Sequence, residues 1–271
     1  MIAADFRADF RRLHQSGCFV LPNPWDEGSA RYLRHLGFKA LATTSAGMAF
    51  SMGLPDGAVP RASALEHIGG IVEAAGVPVN ADFESGFAAD AAGVAESVKL
   101  CVGTGVAGLS IEDSKGEGLH ELPVALERLK AALAAVAGTG VVLTARAECF
   151  LVGHPDPLRE SLKRLEAYAA AGADCLYAPG LRTPEQVAAV VKAVAPKPVN
   201  VLASAPIFTV RQLEDLGVRR VSVGGSLARA AYGAFMQAAD EIAREGTFRS
   251  LGPARPHTEI NRFFREDASR R

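Results

Sequence analysis

The residues with most chemistry in them sit in short runs. Asn80-Ala-Asp82-Phe-Glu84 spaces three oxygen-bearing side chains two apart, which in an extended backbone turns all three to one side. Ile111-Glu112-Asp113 adds carboxylates on what reads as the neighbouring strand. Clustered carboxylates repel one another unless a cation or a base neutralises them, and hard oxygen donors with bound water suit Mg²⁺ better than Zn²⁺. Asp82, Glu112, Asn80 and Glu84 are therefore the candidate metal ligands. The plain alternative, acids solvated in loops, has to hold for two adjacent strands at once. Thr144-Ala-Arg146-Ala-Glu148 places an arginine on the same face as these acids. There it either grips a substrate carboxylate in bidentate fashion or merely balances Glu112 or Glu148.

The weaker signals are anion-binding ones. In Thr43-Thr44-Ser45-Ala46-Gly47, hydroxyls and small residues let backbone N–H groups approach a carboxylate or phosphate, although the same run is also an ordinary Ser/Thr turn. Asn200 and Ser204 follow a later strand, and Gly224-Gly225-Ser226 opens a helix in the manner of a phosphate loop. Lys115-Gly-Glu-Gly-Leu-His120 is a glycine-interrupted polar loop, either a lid carrying an acid or base or a plain solvated loop. The six histidines fall mostly in loops or on helices, and no Ser/His/Asp or Cys/His constellation emerges.

The elements that must carry these groups form a repeat. Eight short β-rich runs recur: residues 19–26, 40–47, 77–84, 108–114, 141–148, 175–180, 198–203 and 220–225. Amphipathic stretches lie between them at 62–75, 91–104, 124–137, 157–171, 184–194 and 227–244. Glycine closes several helices at Gly37, Gly76, Gly172 and Gly217. Eight alternating units in 271 residues predict an α/β chain folded as a (β/α)8 TIM barrel. One barrel domain with an N-terminal helix is expected over 1–252, followed by a charged tail over 253–271 in which Phe263 and Phe264 stand out. The polar runs fall at the C-terminal strand ends, where barrel enzymes build their sites.

A formal charge of −1 offers no global field for nucleic acid or an anionic membrane. No stretch reaches the length of a membrane span, and the start lacks the pattern of a secretion signal. Cys18, Cys101, Cys149 and Cys175 are widely spaced in apolar surroundings, which predicts free buried thiols and a cytoplasmic protein.

In their order along the chain, Asn23-Pro-Trp-Asp26, Thr44-Ser-Ala-Gly47, Gly53-Leu-Pro-Asp56, Asn80-Ala-Asp82, Ile111-Glu-Asp113, Thr144-Ala-Arg-Ala-Glu148 and Val223-Gly-Gly225 resemble the isocitrate lyase and phosphoenolpyruvate mutase superfamily. The resemblance runs from about residue 10 to 246. It implies a Mg²⁺-dependent enzyme making or breaking C–C or P–C bonds beside a 2-oxo or enolate group. Under it, Ser45, Ala46 and Gly47 would bind substrate oxygens through backbone N–H groups, and Asp56 would reach the metal from its loop. Asp82 and Glu112 would hold Mg²⁺ and Arg146 would hold the substrate. It also implies exchange of the last barrel helix, near 228–244, between subunits of a dimer or tetramer. Two departures bear on the reaction: Asn80 stands where the family has the first acid of an Asp-x-Asp pair, and the Lys115–His120 loop lacks the cysteine of the isocitrate and methylisocitrate lyases.

The sequence thus predicts a lyase for a small 2-oxo acid or dicarboxylate, acting through an enolate-like intermediate. P–C chemistry on a phosphonopyruvate-type compound is the second reading, and a 2-oxo acid binding protein with little activity is the third. Catalytic candidates are Arg146, Asp56, Lys115 and His120. Substrate-binding candidates are Thr44, Ser45, Ala46, Gly47, Arg146 and Asn200.

Overall fold

The computed structural model describes residues 2–269, without the side chains of residues 2–4 and Lys115. A first helix, α1 (Ile2–Leu13), precedes β1 (Phe19–Leu21), α2 (Glu27–His35) and β2 (Leu41–Ala42). Then come α3 (Ser45–Ser51), α4 (Arg61–Ala75), β3 (Val79–Asp82), α5 (Ala91–Gly103) and β4 (Gly108–Glu112). A hairpin of β5 (Ser114–Lys115) and β6 (Gly118–Leu119) leads into α6 (Leu122–Val136), β7 (Val142–Arg146), α7 (Pro157–Ala171) and β8 (Cys175–Tyr177). The barrel framework finishes with α8 (Pro184–Val194), β9 (Val199–Leu202), α9 (Val210–Asp215) and β10 (Arg220–Ser222). After it come α10 (Ser226–Glu245), a 3-10 turn (Arg249–Leu251) and α11 (His257–Ala268).

Eight parallel strands lie in the order β1-β10-β9-β8-β7-β4-β3-β2, so the first strand pairs with the last, Phe19 beside Arg220. The ring is drawn together between β1 and β2 by the Ala42 N–H, which donates to the Pro22 carbonyl at 3.0 Å. This is the expected (β/α)8 barrel. Its strands start where the β-rich runs start but stop earlier, because the last residues of each run leave the ladder to build loops above the barrel.

Local signals explain the helices that frame it. The Asp156 side chain accepts from the Arg159 N–H, Pro157 opens α7, and Gly172 closes it at φ 111°, where a side chain would be strained. Leu165 and Tyr168 on its inner face are buried against the strands. At the N-terminal end of the barrel α1 inserts Phe10, fully buried, among Leu21, Ala42, Ala107 and Val142. Arg7 donates to the carbonyls of Val102, Val106 and Thr139, and Arg11 to those of Gly140 and Val141. The first helix therefore ties down loops far along the chain.

By its contacts the chain forms two units, residues 1–225 and 226–271. The second unit holds α10 and α11. Its Glu241 accepts the backbone N–H groups of Arg249 and Ser250, folding the 3-10 turn back on α10. The charged tail carries α11, with the Phe263 and Phe264 rings 4.7 Å apart. Cys101, Cys149 and Cys175 are buried and all four cysteines are free, as the spacing predicted. Among the described residues no helix is long and apolar enough to cross a membrane.

Candidate active site

At the C-terminal ends of the strands Arg146, the last residue of β7, is ringed by carboxylates. Its Nη1 donates to Asp82 Oδ1 at 2.7 Å, its Nε to Glu148 Oε1 at 2.8 Å, and its Nη2 lies 3.2 Å from both Glu148 Oε2 and Glu112 Oε2. The guanidinium also stacks 5.2 Å from the centre of the Tyr177 ring. Burial works against its charge, but Glu148, Glu112 and Asp82 together hold it firmly protonated. The parallel register makes this arrangement: Glu112 pairs with Arg146 and Arg146 with Tyr177 across β4, β7 and β8.

Further partners fix the acids. The other oxygen of Asp82 accepts the Ser45 N–H at 3.1 Å, and its own N–H donates to Thr43 Oγ1 at 2.9 Å. Ser114 donates to Glu112 Oε1 at 2.6 Å. The Glu148 N–H donates to Asp113 Oδ1, while the other Asp113 oxygen accepts from Arg164 and the Tyr168 hydroxyl. Asp113 is therefore a bracket beneath Glu148. Arg128 is a second bracket, donating to the carbonyls of Ser85, Ala88 and Ala89 and so holding the loop after β3.

A cavity of about 210 Å³ opens beside Arg146, bordered by Thr44, Ser45, Ala46, Asp56, Asn80, Asp82, Tyr177, Asn200, Arg220 and others. It has room for a small organic acid.

The acids fit a divalent cation chemically. Asp82, Glu112 and Glu148 contact one arginine, and Glu84 and Asp56 lie near enough to be felt, so acids outnumber the base. Glu84 Oε1 and Asn80 Oδ1 are buried without a hydrogen-bond partner among the described residues. Burial, and after it Asp82, Glu112 and Asp56, push the Glu84 carboxyl up to about 8. Glu112 is also raised, chiefly by burial. A cation would relieve both. As they stand, Asp82, Glu112 and Glu148 are turned onto Arg146, and among the described residues no three His, Cys, Asp or Glu side chains are grouped as metal ligands.

Several expectations need correcting. The three-in-a-row alternation stops at Asp82: Glu84 takes a left-handed φ of 46°, so it leaves the strand and does not border the cavity. Asn80 does border it, but turns its Nδ2 to the Ala81 carbonyl. The hydroxyl run is the start of a helix, with Thr44 capping α3 and taking the Gly47 N–H on its Oγ1. Gly47 is buried and its amide is thereby spent, whereas Thr44, Ser45 and Ala46 line the space. The Gly224-Gly225 turn borders the cavity, with Asn23 Oδ1 accepting the N–H groups of Val223 and Gly224. The Lys115–His120 loop is a hairpin. His120 does not border the cavity, and its backbone is held by Asp113 and Arg164. The side chain of Lys115 lies outside the described residues. Asn200 lines the cavity with both ends of its amide engaged, by Arg220 and Ser222.

Tyr177, Arg220 and Asn23 were not among the candidates. Tyr177 had a signal, an aromatic with a polar tip at the end of a strand. Arg220 had none, because a strand-initial arginine reads as a surface residue.

A family model described as phosphoenolpyruvate phosphomutase matches residues 10–243. A lyase or mutase candidate from Burkholderia cenocepacia J2315 shares 46% identity and superimposes with a TM-score of 0.93, covering 98% of each chain. The 2-methylisocitrate lyase of Escherichia coli K12 is 28% identical over 229 residues, 79% of this chain and 76% of its own. A phosphonopyruvate hydrolase solved with oxalate and Mg²⁺ is 25% identical, with a TM-score of 0.84 over 100% of this chain and 97% of that one.

Proposed function

Because the chain belongs to the phosphoenolpyruvate phosphomutase family, within the isocitrate lyase superfamily, we propose that it is a Mg²⁺-dependent lyase. It makes or breaks a C–C bond beside the 2-oxo group of a small acid or diacid, through an enolate-like intermediate. The observation that carries this reading is Arg146 set among Asp82, Glu112 and Glu148 beside a cavity of about 210 Å³. Asp82 and Glu112, with Glu84 and Asp56 close by, would hold the metal directly or through water; when bound, it would polarise the substrate's oxo group. Arg146 and the first-turn amide of Ala46 would orient the substrate carboxylate and stabilise charge developing on the enolate oxygen, while the Ser45 N–H holds Asp82 in place. Thr44 sets that amide by capping α3. Tyr177 shields one face of Arg146 from water.

The test is turnover of a panel of hydroxy di- and tricarboxylates and 2-oxo acids, with Mg²⁺ and after chelation. Cleavage should depend on Mg²⁺ and vanish in Asp82→Ala while circular dichroism stays unchanged. Undiminished activity in that variant would overturn the reading. A P–C reaction is supported by the family description and by the likeness to phosphonopyruvate hydrolase. It would replace the first reading if phosphonopyruvate alone were turned over.

Exposed apolar side chains on the second unit, Phe235, Met236 and Phe248, support assembly into a dimer or tetramer, which light scattering would test.

A further inference from the structure

Arg220, at the start of β10, is 2% exposed and borders the same cavity. Its Nε donates to Asn200 Oδ1 and its Nη2 to Thr144 Oγ1, each at 2.9 Å, and its Nη1 lies 3.3 Å from His14 Nε2. None of these partners carries a negative charge. The geometry also settles the state of His14. Its Nδ1 lies 2.8 Å from the Phe10 carbonyl and must be the donor there, which leaves Nε2 as a lone pair for Arg220, so the ring is neutral. Among the described residues no ion pair involves Arg220.

An arginine stays protonated in a protein, and a buried cation without a counter-charge is costly. A guanidinium has five N–H groups, and three are engaged here, leaving one on each terminal nitrogen. A charge of this kind, bordering a cavity, is matched to an anion that arrives with the ligand. The polar neighbours Asn200 and Thr144 hold the fork in place without neutralising it.

We propose that Arg220 is a specificity-determining residue that receives the second anionic group, carboxylate or phosphonate, of a doubly charged oxo acid whose first carboxylate lies toward Arg146 and α3. The proposal rests on reading the cavity as an oxo-acid site.

The test compares oxaloacetate with 2-oxobutyrate, which has the same carbon count but ends in a methyl group, and with phosphonopyruvate. Dissociation constants are measured by titration in Mg²⁺ for wild type, Arg220→Gln and Arg220→Lys. Wild type should bind at least one dianion about tenfold or more tighter than 2-oxobutyrate. Arg220→Gln should erase most of that preference, weakening the dianion by about 30-fold, as expected for a lost charged hydrogen bond, while 2-oxobutyrate stays within about twofold. Arg220→Lys should retain part of it. Which dianion is preferred tells carboxylate from phosphonate. The proposal is overturned if wild type shows no dianion preference, a result that needs no variant to fold, or if Arg220→Gln weakens all three compounds alike or none. Failure of the underlying reading looks different: then none of the three binds wild type at millimolar concentration, and the assignment of Arg220 falls with it.

Discussion

Two arginines face one cavity, and their surroundings are opposite. Arg146 is held by Asp82, Glu112 and Glu148, whereas Arg220 is held by a neutral histidine, an amide and a hydroxyl. Residue type is the same and neither is exposed, Arg146 being 13% accessible at its side chain and Arg220 2% overall, so the larger difference lies in what each charge is set against. A guanidinium already neutralised by three acids can organise them, and in our reading it positions substrate and metal ligands. One left without a counter-ion is available to an incoming charge.

The largest expected effect breaks the Arg146 side of this comparison. Arg146→Met strands three carboxylates, and breaking a buried ion pair costs about 3–5 kcal/mol. Urea unfolding should show a loss of that order, with turnover abolished. Arg220→Met strands no acid and should lower stability by less than half as much. Equal losses in the two variants would dissolve the distinction. Next, Asp82→Asn keeps the shape but removes a charge, and should cut kcat by about 10²–10³ with little change in the melt. A larger drop in stability than in rate would make Asp82 a structural partner of Arg146 rather than part of the machinery.

A smaller effect sharpens the Arg220 side through His14. Burial first, and then the nearby Arg220, hold its pKa down to about 3, against 6.5 in the unfolded chain. The unfolded state therefore takes up the proton first. This contribution to stability is complete above pH 6.5 and declines as pH falls towards 3, by at most about 1.4 kcal/mol per pH unit. His14→Phe keeps the ring packing against Phe10 and Phe19 and should flatten the acid limb of the stability curve. An unchanged limb would mean that His14 is not the group responsible. The smallest effect is a control outside the site: the exposed Arg211–Asp215 pair should contribute under about 1 kcal/mol, so Arg211→Ala should leave the melt almost unmoved.

The frame was legible because it repeats. Each strand of the barrel announced itself by a β-rich run after a helix, and Asp82, Glu112 and Arg146 stood at predictable strand ends. What sequence could not convey was where alternation stops. Nothing in Phe83-Glu84-Ser85 signals a left-handed Glu84, which is imposed by a loop whose carbonyls Arg128 gathers from a helix some forty residues on. Thr44-Ser45 is a good helix-cap signal, but a short α3 gives too little periodicity to separate a cap from a turn. Arg220 was hidden for a different reason. Its partners lie 20, 76 and 206 positions away, so its lack of a counter-charge exists only once the barrel has closed.

That closure also bears on how the protein is made. β1 has its ladder partner in β10, the last strand of the framework. On the ribosome Phe19–Leu21 emerge with about two hundred residues still to be translated before Arg220–Ser222 can pair with them. Through that interval the nascent chain presents an unsatisfied, largely apolar edge, and α1 waits likewise for the loops that Arg7 and Arg11 will grip. Slowing the ribosome just before β10 should therefore lengthen the window in which the chain can aggregate.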